Sequence, residues 1–188
     1  GGLSVTIMAD AEVANSILGT ITGCPLPTAT FTSITGTSYS LGTAPAAIAG
    51  TPSGAFLYVA TAAGSVLVYT IGTNGALTLG NNGTAVATTL NPVWMTVDPS
   101  GQWLFMVSSS VTALLEYQIN TSTGALTLQG QGTALNISGT GRSTQVYVTP
   151  NNQYVYVGLG TSGVDTFAFN SSTGALSNQG HLAPLASG

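Results

Sequence analysis

Seven side chains, Asp10, Glu12, Asp98, Glu116, Arg142, Asp165 and His181, hold every carboxylate, strong cation and imidazole in this 188-residue sequence. These are the groups that could serve as a general base, a metal ligand or an anion partner. Their spacing shows no metal-ligand pattern, so no metal or other cofactor is expected and no catalytic residue is assigned. Asp98 stands in "DPSG", where an Asp ordinarily accepts hydrogen bonds from its own turn. Arg142, the one strong cation, follows "SGTG" and is the first candidate for a ligand-binding residue, suited to an anionic ligand or to a carboxylate across a groove between units. His181 lies seven residues from the last residue in "NQGHLAP", where a catalytic histidine would be poorly held.

The scarcity of charge excludes whole classes of function. Charged residues make up 3% of the chain and lysine is absent, against about 25% charged residues in ordinary soluble domains. Nucleic acid is excluded as a partner, because phosphate binding draws on Lys and Arg. The mean hydropathy is positive, yet Gly, Ser and Thr interrupt every apolar run, so no membrane-spanning helix is expected. Cys24 is the only cysteine and rules out an intramolecular disulfide. It follows "ITG" as in a lipoprotein cleavage box, but the preceding segment has no basic region and carries Asp10 and Glu12, so a structural thiol is expected. The start at Gly1-Gly2 without methionine suggests a removed leader or a piece of a longer chain. Four Asn-x-Ser/Thr sequons, at Asn82, Asn120, Asn136 and Asn170, are compatible with secretion. With so few carboxylates, the fold is expected to survive at acid pH.

The elements that would position these groups are written in a repeat. "NGALTLG" at 74–80, "NTSTGALTLQG" at 120–130 and "NSSTGALS" at 170–177 share a glycine, and Gly75, Gly124 and Gly174 are spaced by 49 and 50. Before each lie two alternating segments and, before those, the turns "TPSG", "DPSG" and "TPNN". Alternation rich in Val, Tyr, Phe and Thr, bounded by Pro, Gly and Asn, predicts strands. In the second unit these are expected at about 93–98, 102–108, 113–119 and 125–129, with Gly54, Gly101 and Asn152 taking the positive φ of the first turn. Glu116 and Asp165 then fall on third strands at positions expected to face solvent. Trp103 and Phe105 recur as Phe56 and Tyr58 and as Tyr154 and Tyr156, a recurrence that packing between units demands. Trp94 has no aromatic counterpart in the other units and is the second ligand-binding candidate.

Four strands per unit at this period predict an all-β fold of propeller-type repeats, each blade a four-stranded antiparallel sheet. Three blades are clear, at 44–91, 92–141 and 142–188, preceded by a degenerate or partial blade at 1–43. The series "PSG.(W/F)L(Y/F)V" followed by "V.VY.I....GALT" resembles the lactonase-like and YVTN-repeat propellers over about residues 44–180. The resemblance implies a seven-bladed fold and lactone hydrolysis, which needs a base or metal-activated water and a positive group for the oxyanion. Seven blades at this period would need roughly 330 residues. Sheet edges without lysine must be hidden by geometry. A four-unit ring would do this, as would strand donation between chains, with Gly1, Leu3, Val5, Ile7, Ile17 and Ile21 as assembly residues. The resulting expectation is a non-catalytic, secreted or cell-surface structural module that forms a homo-oligomer or polymer, as a filament or ring. A ligand- or glycan-binding propeller and a lactonase-like hydrolase fragment are the alternatives.

Overall fold

A computed structural model describes residues 41, 43–87, 91–130, 132–137 and 141–184. The chain divides into Gly1–Ser33 and Ile34–Gly188, and every described residue belongs to the second unit. The assembly residues named above and Cys24 lie outside the described residues.

Three antiparallel sheets follow one another along the chain. The first is β1 (Pro45–Gly50), β2 (Phe56–Thr61), β3 (Ser65–Ile71) and β4 (Leu77–Leu79), with β5 (Val86–Ala87) also paired to β3. The second repeats this plan with β6 (Pro92–Val97), β7 (Trp103–Ser108), β8 (Ala113–Ile119), β9 (Leu126–Leu128) and β10 (Thr133–Ala134), the last pairing β8. The third is β11 (Gln145–Val148), β12 (Tyr154–Gly158), β13 (Val164–Phe169) and β14 (Leu176–Leu182), whose outer strand is continuous. The predicted four-stranded blades are present. Pro45 and Pro92 begin the innermost strands, a position where a missing N–H is tolerated. Strands β1, β6 and β11 lie side by side, as the inner strands of successive propeller blades do.

All six residues of β7 are buried because both faces of its sheet are covered. Leu104 and Met106 face the first blade and pack with Tyr58, Val66, Val68 and Tyr117. Trp103, Phe105 and Val107 face the third and pack with Val155, Val157, Phe167 and Phe169. Phe169 meets Phe105 edge to face, with ring centroids 5.1 Å apart. Tyr154 and Tyr156, in the places of Trp103 and Phe105, are 39% and 37% exposed because no described blade covers that face.

The repeated phrase acquires its reason here. Asn120 Oδ1 accepts from Ser122 N–H at 3.0 Å and Asn170 Oδ1 from Ser172 N–H at 3.0 Å, closing a turn that ends on a left-handed glycine. That glycine lies on an aromatic ring of the preceding blade, Gly124 on Phe56 and Gly174 on Trp103. The adjoining backbone accepts a bond from the same blade: Tyr58 Oη donates to Gly124 O at 3.0 Å and Trp103 Nε1 to Ser171 O at 2.7 Å. The phrase therefore fits one blade onto the next. Gly174→Ala should cost about 2 kcal/mol in urea denaturation, because a methyl there meets a Trp103 ring already pinned by its indole bond and the backbone has φ +81°. A change below 0.5 kcal/mol would contradict this packing.

Candidate functional site

Asp165, Asn136 and His181 converge at one end of the third blade. Asp165 is the second residue of β13, just after the β12–β13 turn, and cross-strand register sets it opposite His181 on β14. Its carboxylate is fully buried and accepts from the Asn136 backbone N–H at 2.7 Å and from Asn136 Nδ2 at 3.0 Å. His181 Nδ1 lies 2.7 Å from Asp165 Oδ1, and the imidazole is 29% exposed. A carboxylate only accepts, so the hydrogen of neutral His181 stands on Nδ1 and the Nε2 lone pair is left for an incoming group.

Two expectations are corrected by this geometry. Asp165 and Glu116 are buried, not solvent-facing, because each lies on the strand face turned to the neighbouring blade: Asp165 shares its face of β13 with Phe167 and Phe169, and Glu116 stands opposite Phe105 in the seam between the second and third blades. His181 is held despite its place in the sequence, because β14 pairs with β13 at both ends, through Leu176 to Asn178 and, beyond a bulge, through Gly180 to Leu182. The turn at 170–175 sets Phe169 opposite Leu176 and by itself would bring residue 180 opposite Asp165; a bulge between Thr166 and Phe167 shifts the register by one residue and puts His181 there, which the sequence does not signal.

Arg142 and Trp94 lie at the same end of the sheets but on the axial side. Trp94 is 45% exposed near the start of β6, and Arg142 is exposed three residues before β11. Arg142 forms no ion pair with a described carboxylate, so the salt bridge anticipated for it is not present among the described residues. The β12–β13 turn separates it from His181. The carbonyl of Arg142 lies 3.4 Å from where a Cβ would stand on Gly160, and Gly163 at the other side of the turn packs on the carbonyl of Leu182.

Glu116 occupies the seam between the second and third blades, under Gly174 and beside Trp103. Its Oε1 has no hydrogen-bond partner, and burial pushes the carboxyl pKa up to about 7. Asp98 accepts from the backbone of its own turn, as its motif predicted; it is also fully buried and receives Asn152 Nδ2 from the third blade at 2.6 Å. An open groove of about 670 Å³ lies at the opposite end of the sheets, lined by Ser100, Gln102, Gln118, Asn120 and Thr127. No titratable group lines it, so it offers hydrogen bonds but no acid–base chemistry. No group of three or more His, Cys, Asp or Glu able to hold a metal is present among the described residues, and no described helix is long and apolar enough to cross a membrane.

Comparison with known proteins gives a match to the family model "Lactonase, 7-bladed beta-propeller" over residues 20–138. No curated protein matches the sequence. Similar solved structures include a proposed 6-phosphogluconolactonase from Bacteroides uniformis, 18% identical with a TM-score of 0.64, covering 74% of this chain and 41% of that one. A second from Bacteroides fragilis is 22% identical with a TM-score of 0.59, covering 72% and 37%. The periplasmic gluconolactonase PpgL of Pseudomonas aeruginosa is 14% identical with a TM-score of 0.61, covering 72% and 40%. These likenesses show the fold, and the chain spans about two fifths of the length of each structure. The expectation of a non-catalytic, self-assembling structural module is overturned by the family match, which points to a hydrolase. The non-catalytic half of that expectation rested on the scarcity of ionisable groups, and the self-assembly half on unprotected sheet edges, whereas a propeller sets its inner edges side by side, as β1, β6 and β11 are.

Proposed function

The chain belongs to the lactonase seven-bladed β-propeller family, and on that premise we propose that it acts as a hydrolase that opens a lactone ring at the end of the third blade, with His181 as the catalytic base. The observation that carries this reading is the buried Asp165 carboxylate fixing Nδ1 of a partly exposed imidazole at 2.7 Å. Nε2 takes a proton from water as the water oxygen attacks the lactone carbonyl carbon. The ring C–O bond then breaks and the same proton passes to the departing ring oxygen, giving a hydroxy acid. Asp165 is a positioning residue that also steadies the transient imidazolium. Arg142, across the β12–β13 turn, supplies the cation for the developing oxyanion.

Acid release from glucono-δ-lactone, followed at constant pH, tests the reading. Turnover above the buffer rate should vanish in His181→Ala and return to His181→Gly when imidazole is added. Asp165→Asn should displace the pH–rate profile, with circular dichroism showing that the variant is folded. Full activity in His181→Ala would overturn the assignment. Export from the cytoplasm is proposed as well, supported by the near absence of charge and by the periplasmic location of one similar structure.

A further inference from the structure

Resting on the hydrolase reading, we propose that the site at Asn136, Asp165 and His181 takes an uncharged sugar lactone and rejects a phosphorylated one. The similar structures include proteins described as acting on each kind, and the residues of this chain discriminate between them. A phosphate monoester carries close to two negative charges at neutral pH and is ordinarily received by several Lys or Arg side chains or by bidentate guanidinium contacts. Among the described residues the only Lys or Arg is Arg142. One guanidinium can face the oxyanion or hold a phosphate, and the reaction needs it for the first.

The rest of the site repels an anion. Asp165 is a carboxylate with no cationic side chain beside it other than the imidazole it orients, and both its oxygens are engaged. Asn136 gives its backbone N–H and one Nδ2 hydrogen to Asp165, which leaves a single neutral amide hydrogen and no charge to set against a phosphate. The chain as a whole carries a formal charge of −4, so an anionic substrate is also disfavoured during approach. Hydroxyl groups carry no charge and meet no such penalty.

Two measurements on the full chain test this. The first compares kcat/KM for glucono-δ-lactone and for its 6-phosphate at low and at moderate salt. We expect at least a tenfold preference for the uncharged lactone, narrowing as salt screens the repulsion. The second measures binding of the unreactive gluconolactam and of its 6-phosphate by saturation-transfer NMR, with His181→Ala as the control for the site. Weaker binding of the phosphate supports the proposal. Equal or tighter binding of the phosphate, binding of neither, or a preference for the phosphorylated lactone that Arg142→Ala abolishes would overturn it. Lactam binding without turnover of either lactone would leave this inference standing and remove the hydrolase reading.

Discussion

Asp98→Ala should destabilise the protein by about 4 kcal/mol in urea denaturation. The carboxylate is fully buried and gathers five donors. Oδ1 accepts from Gln102 N–H at 2.9 Å and Trp103 N–H at 2.7 Å, and Oδ2 from Ser100 N–H at 3.0 Å, the Ser100 hydroxyl and Asn152 Nδ2 at 2.6 Å. Alanine orphans three backbone donors in a tight turn and cuts the tie to the third blade. Asp98→Thr should cost far less, about 1–2 kcal/mol, because threonine already fills the equivalent place in the other blades. Thr51 Oγ1 accepts from Phe56 N–H and Thr149 Oγ1 from Tyr154 N–H, each at 3.0 Å. If the two variants lost equal stability, the turn bonds would not be the source of the effect.

Glu116→Gln should stabilise the protein by about 3 kcal/mol at pH 8 and leave it nearly unchanged at pH 4. The carboxyl is 8% exposed in the seam between blades, and burial holds its pKa near 7 against an ordinary value of 4.5. Between those values the folded state binds more protons at this group than the unfolded state. Its contribution therefore falls as pH rises through the window, and the ionised form above pH 7 bears the full desolvation penalty. Glutamine keeps the shape and removes the ionisation. Urea melts of both proteins at half-unit steps from pH 4 to pH 8 give the difference curve, and a flat curve would refute the buried titration. The sequence does not disclose this direction, since it follows from the burial of Glu116 between two blades.

The sequence determined the strands and the turns. Alternation in "QWLFMVS" and "ALLEYQI" anticipates Trp103–Ser108 and Ala113–Ile119 closely, and the positive φ at Gly54, Gly101 and Asn152 follows from turn chemistry. These features are local, written within about ten residues, and a repeat states them three times. The tertiary structure decided which side chains meet. Asp165 and His181 are 16 residues apart and Asn136 is 29 from Asp165, so their convergence depends on a hairpin register and on the connection between two blades. Burial was decided at the same level. Period 2 gives the face of a strand and not whether another sheet covers it, which is why Glu116 and Asp165 are enclosed while Tyr154 and Tyr156, on an aromatic pattern identical to that of Trp103 and Phe105, stand exposed.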